Sequence, residues 1–168
     1  MHRRRRRKSR AQQGLLVRFQ AHVEIDKPHE EVFAFIADFT NVPKWNYYIR
    51  SVDKETEGPD CVGTRYSQGY KNGDQRFEIT EYNPPHAVSI ESLDETLPAF
   101  LMRYRLLQRG ANRTLVTSTS ELYSASKKLL ARLSARRMKR TAAENLYKLK
   151  ELLEEGSATL QDGRTMSR

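Results

Sequence analysis

The sequence predicts a single α+β domain in which a curved antiparallel sheet packs against one long C-terminal helix. The chain has 168 residues, a length that suits one domain. Most of it divides into short extended segments separated by turn residues, which is typical of an antiparallel meander. A final stretch without Gly or Pro has the apolar period of a helix. We expect the domain to cover residues 14–155, with disordered tails over the basic residues 1–13 and the polar residues 156–168.

The first elements follow directly from local pattern. Apolar and polar residues alternate from Val17 to Ile25, which predicts a half-buried strand. Pro28 suits the first turn of a helix, which ends near Asp38. Pro43 opens another helical turn that carries Trp45.

Six further strands are predicted, each bounded by Gly, Pro, Asn or Asp. They cover about residues 49–56, 64–70, 75–82, 87–92, 100–108 and 114–122. Asn72 and Gly73 give the clearest hairpin signal, because both tolerate the positive φ of a tight turn.

The long helix is predicted from about Ser126 to Glu155, and Gly156 supplies its stop. At ~1.5 Å per residue, a helix of this length crosses the whole sheet. Its apolar residues recur at helical spacing: Leu130, Leu133, Met138, Ala142, Leu146, Leu149 and Leu153.

The net charge of +9 is concentrated in two clusters. One is the arginine-rich N-terminus, and the other is the basic face of the predicted C-terminal helix. Outside them, acidic residues outnumber basic ones, so local patches are predicted rather than a uniform nucleic-acid-binding surface. The helix face could contact RNA phosphates or anionic lipid headgroups, or it could simply be solvated. Its members are Lys127, Lys128, Arg132, Arg136, Lys139 and Arg140.

Several classes of protein are disfavoured. Cys61 is the single cysteine, so no intrachain disulfide can form, and a reducing, cytoplasmic location is predicted. No apolar stretch is long enough to span a membrane or to act as a signal peptide. His22 and Glu24 lie two apart on one strand without a third ligand, so no metal site is predicted, and no motif calls for a cofactor.

Several local motifs resemble one known family. Residues 23–38 have the sequence VEIDKPHEEVFAFIAD, and VPKW follows at residues 42–45; shorter matches are GTR at 63–65, EYNPP at 81–85 and NRT at 112–114. Together they resemble the polyketide cyclase/dehydrase branch of the START-like (SRPBCC), helix-grip superfamily, over about residues 15–153. The resemblance implies a seven-stranded sheet gripping the long helix, with a hydrophobic tunnel for lipids, quinones, polyketides or similar molecules. Members range from cyclases and aromatases to carriers, and one branch contains ribosome-associated and coenzyme Q-binding proteins.

A cavity of this kind is lined by apolar and aromatic side chains with a few orienting polar groups. For each single candidate the alternative is a filled core. The predicted lining residues are Phe33, Trp45, Tyr66, Phe77, Ile79, Val88, Ile90, Tyr104, Leu106, Met138, Ala142 and Leu146.

Catalysis would require a proton donor in this cavity. A buried hydroxyl of Tyr66 or Tyr104 could protonate or stabilise a developing enolate. Arg103 or Glu121 could assist if their strands turn them inward; alternation argues against Arg103 and leaves Glu121 open. The leading hypothesis is therefore binding of a hydrophobic small molecule, as a carrier or as a cyclase/dehydrase-like enzyme. The alternative is a module that binds RNA, the ribosome or an anionic membrane through the basic helix face.

Overall fold

The computed structural model describes residues 15–93, 98–123 and 135–168. Strand β1 is followed by helix α1, a 3-10 helix, the strands β2 to β7, helix α2 and a small hairpin, β8–β9. Their bounds are β1 Leu15–Ile25, α1 His29–Ala37, the 3-10 helix Phe39–Lys44, β2 Ser51–Lys54, β3 Arg65–Tyr70, β4 Gly73–Asn83, β5 Ala87–Ser92, β6 Ala99–Gln108, β7 Thr114–Tyr123, α2 Ala135–Glu155, β8 Ser157–Thr159 and β9 Thr165–Ser167.

The main sheet has seven strands in the order β1-β7-β6-β5-β4-β3-β2, and every neighbouring pair is antiparallel. Strands β2 to β7 form a meander, and β1 joins it by pairing with β7. The register between β4 and β5 shifts between Ile79 and Glu81, a bulge that bends the strand. The predicted α+β fold, with a curved antiparallel sheet, short helices and a long C-terminal helix, is confirmed.

The core lies between this sheet and the helices. Helix α2 buries Leu146, Leu149, Leu152 and Leu153 completely or almost completely, and it packs along β1. Phe39, Tyr66 and Phe77 form an aromatic cluster with ring centroids 5.3–5.5 Å apart. This cluster fills one end of the space above the sheet.

The described part of the long helix agrees with the pattern. It ends at Glu155, and Gly156 follows with a φ of +81°, a conformation that favours glycine. Residues 126–134 of the predicted helix, including Leu130 and Leu133, lie outside the described residues, as do residues 1–13 of the predicted N-terminal tail.

The C-terminal residues differ from the expected disordered tail over 156–168. Strands β8 and β9 pair as a hairpin in which Ala158 and Leu160 are buried, and Arg168 reaches Glu31 on α1 at 2.6 Å. Two apolar residues two apart are enough to anchor so short a strand, but too few to produce a recognisable alternation. Over the described ranges, none of the helices has both the length and the apolar character needed to cross a membrane.

Candidate functional site

A cavity of two adjoining lobes lies between the sheet, the segment after the 3-10 helix, and α2. Lobe 1 has a volume of about 500 Å³ and lobe 2 of about 410 Å³. Each falls within the usual ~300–1,000 Å³ of small-molecule sites. The two lobes share a wall, whose residues are Phe19, Asn46, Tyr48, Tyr70, Met102, Tyr104, Ser120 and Met138.

The floor of the cavity is made by alternate residues of β6 and β7. Met102 lies opposite Ser120, and Tyr104 lies opposite Ser118, all facing α2. Serine is small, so Ser118 and Ser120 leave space above the sheet that a leucine or valine would fill. The cavity is thus encoded partly by two small residues on an otherwise apolar face.

Lobe 1 contains a chain of hydrogen bonds. The Gln68 amide Nε2 donates to the Tyr70 hydroxyl at 2.6 Å, and that hydroxyl donates to Gln75 Oε1 at 3.2 Å. The Gln75 amide Nε2 in turn donates to the carbonyl of Pro98 at 3.3 Å. Burial raises the pKa of Tyr70 to about 12, against the opposing effect of Gln68, so this hydroxyl keeps its proton at neutral pH.

Two residues that border lobe 2 each have a buried polar atom without a partner. Trp45 Nε1 and Asn145 Oδ1 are both buried and make no hydrogen bond within the described part of the chain. The Tyr104 hydroxyl donates to the Met102 thioether at 2.8 Å, a weak acceptor. Burial raises the pKa of Tyr104, and a hydrogen bond with Ser118 acts in the opposite direction. These donors and acceptors are available to orient a bound molecule, after small side-chain movements that uncover Trp45 and Asn145.

The charge around the cavity is one-sided. Lys71 borders lobe 1 and Arg137 borders lobe 2, whereas the described lining of both lobes contains no Asp or Glu. The site therefore suits neutral or anionic ligands better than cationic ones.

The predicted lining residues divide into two groups. Those that border the cavity are Trp45, Phe77, Ile90, Tyr104, Met138, Ala142 and Leu146. The remaining five pack in the core outside the lining: Phe33, Tyr66, Ile79, Val88 and Leu106. The four strand residues of this group lie on the inner face as predicted, but outside the cavity. Phe33 lies on α1, where it packs edge to face on Tyr82 at 5.6 Å. Ligand contact by the first group stays a prediction.

The two tyrosines proposed as proton donors lie in different surroundings. Tyr104 borders both lobes, whereas Tyr66 is not part of the lining. The Tyr66 hydroxyl donates to Asp60 Oδ1 at 2.6 Å, and Asp60 also pairs with Lys54 at 2.8 Å. Burial and the Asp60 carboxylate raise the pKa of Tyr66. The Tyr66 proton is therefore held in a hydrogen bond outside the cavity lining, and Tyr104 is the one of the two that borders the cavity. A role of either tyrosine as an acid stays a prediction.

The two candidate assistants lie on the opposite face of the sheet. Arg103 and Glu121 form an ion pair at 2.7 Å, and Arg18 approaches the same carboxylate at 3.8 Å. The Tyr123 hydroxyl also donates to Glu121. The pKa of Glu121 is lowered, first by Tyr123 and then by Arg103. The undecided parity of Glu121 is therefore outward, because Ser120 and Leu122 face the cavity.

The basic helix face is partly described. Arg136, Lys139 and Arg140 are exposed on α2, and Arg140 pairs with Glu144 at 2.9 Å. The other three members, Lys127, Lys128 and Arg132, lie outside the described residues. Partner binding by this face stays a prediction.

The histidine and acidic side chains of the described residues do not form a metal site. His22 and Glu24 are exposed on β1. Within residues 15–93, 98–123 and 135–168, no group of three or more His, Cys, Asp or Glu side chains could hold a metal ion.

Sequence pattern missed several lining residues that had detectable signals. Phe19 shares the inward parity of Val17 and Ala21 on β1. Asn145 lies three residues after Ala142 on the apolar stripe of α2, and a polar residue at such a position is a marker of a site. Gln68 and Gln75 gave no such signal, because their proximity depends on the register of β3 and β4.

The family model described as polyketide cyclase/dehydrase and lipid transport matches residues 17–154. A comparison with curated proteins gives no match.

Solved structures share the fold at low sequence identity. A Thermobifida fusca protein is 15% identical with a TM-score of 0.64, over 80% of this chain and 91% of its own. A Thermus thermophilus protein is 18% identical with a TM-score of 0.63, over 80% and 94%. The Zhui aromatase/cyclase of Streptomyces sp. R1128 is 13% identical with a TM-score of 0.64, over 82% and 93%. Likeness at this level of identity establishes a common fold alone.

Proposed function

The chain belongs to the polyketide cyclase/dehydrase and lipid transport family, and from that membership we propose that it binds an apolar small molecule in the two-lobed cavity. The ligand class is lipid, quinone or polyketide-like. The observation that carries the proposal is the cavity itself, with lobes of about 500 and 410 Å³. Its walls are mainly apolar and aromatic, as ligand sites are.

The polar groups of the cavity support a role in orienting the ligand. Tyr70 and Tyr104 both have a raised pKa and stay protonated, so each presents an O–H donor rather than a base. Trp45 and Asn145 add a donor and an acceptor without partners within the described chain. A few such groups in an apolar cavity fix the position of a ligand while burial supplies most of the affinity.

Carrier and cyclase differ in what Tyr104 must do. A carrier needs only burial and orientation. A cyclase/dehydrase-like enzyme needs a group that touches the reacting atoms. Tyr104 borders both lobes, and its hydroxyl is the candidate donor to a developing enolate oxygen. Cys61, free and exposed, fits a reducing, cytoplasmic setting for either role.

Native mass spectrometry of freshly purified protein, followed by denaturing extraction, tests the proposal. A stoichiometric apolar molecule, either carried through purification or taken up from lipids, quinones or polyketides, is the expected result. A mass that stays that of the bare chain after all these incubations would contradict it.

Two matched variants locate the ligand. Ala142 borders lobe 2, whereas its neighbour Ala143 is exposed on the same helix. We expect Ala142→Phe to fill the lobe and displace the ligand, and Ala143→Phe to retain it. Equal ligand content in both variants would show that the molecule binds elsewhere.

A further inference from the structure

The hydrogen-bond chain of lobe 1 runs in one direction only. Its members, Gln68, Tyr70 and Gln75, all border the lobe, and both glutamines are buried. It ends at the Pro98 carbonyl, a pure acceptor, so Gln75 must use its amide N–H there and keep Oε1 for Tyr70. Tyr70 must then donate to Gln75, which leaves its oxygen to accept from the Gln68 amide.

This order of donors fixes the orientation of the Gln68 amide, which is the first donor of the chain. Gln68 uses one amide N–H toward Tyr70, at 2.6 Å. Its Oε1 and its second amide hydrogen remain, and neither makes a hydrogen bond within the described ranges. Hydrogen bonds in a chain polarise one another, so the terminal Oε1 is a strengthened acceptor.

We infer that Gln68 is a specificity-determining residue that recognises a hydroxyl group on the apolar ligand in lobe 1. A hydroxyl donates to Oε1 and accepts from the second amide hydrogen. An ether or ketone oxygen only accepts, so a ligand with such a group would leave Gln68 Oε1 unpaired. An ionised carboxylate would be repelled by the partial negative charge of Oε1. The inference rests on the proposed function, because it assumes that lobe 1 admits an apolar ligand.

Three probes of similar shape separate these possibilities. 2-Naphthol donates and accepts, 2-methoxynaphthalene only accepts, and 2-methylnaphthalene does neither. Binding of each to the full chain is measured by isothermal titration calorimetry at neutral pH, where the naphthol is un-ionised. We expect 2-naphthol to bind roughly three- to tenfold more tightly than the other two, the factor expected for a hydrogen bond.

Variants assign that preference to the chain of hydrogen bonds. Gln68→Met keeps an unbranched side chain but removes both polar groups, and it should abolish the preference for 2-naphthol. Tyr70→Phe leaves Gln68 in place but frees its amide to rotate, so it should reduce the preference. Gln20 bonds Thr119 on the exposed face of the sheet, and Gln20→Met is the matched control that should keep the preference. Circular dichroism melting curves show whether each variant is folded.

The outcomes distinguish a failure of the proposed function from a failure of the Gln68 assignment. If none of the probes binds the native chain, the proposed function fails and the inference fails with it. If all three bind with equal affinity, the cavity admits apolar ligands but Gln68 does not select a hydroxyl. A preference that survives Gln68→Met in a folded protein would likewise overturn the assignment.

Discussion

The indole of Trp45 meets the ring of Tyr104 edge to face, with centroids 6.2 Å apart and an angle of 79° between the planes. The contact connects the end of the 3-10 helix to β6 at the wall of lobe 2. Such pairs contribute about 0.5–1.5 kcal/mol beyond the burial of their area. The Tyr104 hydroxyl is thereby held at one place in the cavity, which makes it a specific target for substitution.

Tyr104→Phe and Tyr66→Phe should have opposite effects on function and stability. The Tyr104 hydroxyl donates to a thioether, a weak acceptor, and its other hydrogen bond is with Ser118, so Tyr104→Phe should cost less stability than Tyr66→Phe. The same substitution should remove any turnover and leave ligand binding within a few-fold. Tyr66→Phe breaks the bond to Asp60 and should lower the free energy of unfolding by about 1 kcal/mol without changing ligand binding. Urea denaturation and ligand titration of both variants provide the comparison.

Either of two results would contradict this assignment. Loss of ligand binding in Tyr66→Phe would place the Tyr66 hydroxyl in the binding site after all. Turnover that persists in Tyr104→Phe would exclude Tyr104 as the acid of a cyclase.

Asn145→Leu should stabilise the ligand-free protein. Asn145 is 6% exposed and its Oδ1 has no partner in the described chain. A buried polar atom without a partner costs about 1–3 kcal/mol, and leucine would continue the apolar stripe of α2. We expect the free energy of unfolding to rise by about 1 kcal/mol and Tm by about 2–4 °C.

Asn41 provides the matched control for this substitution. Its Nδ2 donates to the Phe35 carbonyl at 3.2 Å, so Asn41→Leu should lower Tm. Thermal melts followed by circular dichroism compare the two. If Asn145→Leu lowers Tm as much as Asn41→Leu does, the Asn145 amide has a structural partner and is not available to bind a ligand.

Alkaline pH should destabilise the fold through its buried tyrosines. The pKa of Tyr70 is raised from its ordinary value of 10.0 to about 12, so the folded chain holds this proton more tightly than the unfolded chain. Its contribution is fully present below about pH 10 and is lost as the pH rises toward 12. Urea denaturation across this range should show the free energy of unfolding falling.

Tyrosine variants test the origin of that decline. Tyr70→Phe removes one titrating group and should make the decline shallower, while the raised pKa of Tyr47, about 12, maintains part of it. Tyr147 is 54% exposed, and Tyr147→Phe should follow the native curve. An unchanged slope in Tyr70→Phe would show that this hydroxyl ionises equally in both states.

Charge reversal tests the alternative function of the basic helix face. If it binds RNA or anionic vesicles, the double variant Arg136→Glu/Lys139→Glu should lose salt-sensitive association while small-molecule binding continues. Arg50 and Arg109 are exposed elsewhere, and Arg50→Glu/Arg109→Glu is the control with the same change in charge. Co-sedimentation at low and high salt is the measurement. Equal association of the two variants would exclude a role specific to this face.

Sequence pattern predicted the faces of the strands better than it predicted positions along them. Tyr66 and Tyr104 were both assigned correctly to the inner face, yet one is packed in an aromatic cluster and the other borders the cavity. Alternation has a period of two residues and carries no information about depth. That depth is set by the register between strands and by what α1 and the 3-10 helix cover.

Helical periodicity has a related weakness. Helical periodicity predicted the apolar stripe of α2. It did not indicate Asn145, because the pattern is defined by apolar residues and Asn145 is a polar residue within the stripe. The short hairpin at residues 157–167 was missed for a different reason, since its stability comes from contacts of Ala158 and Leu160 with the rest of the domain. Both errors concern tertiary packing, which local pattern does not contain.

The wall shared by the two lobes includes the thioethers of Met102 and Met138. Oxidation of a thioether to a sulfoxide turns a flexible apolar group into a polar one with a strong acceptor oxygen. An oxidant small enough to enter the cavity would therefore make the lining of both lobes more polar. A bound ligand would shield the same sulfur atoms, so the rate of methionine oxidation measures how fully the cavity is occupied, even before the ligand is identified.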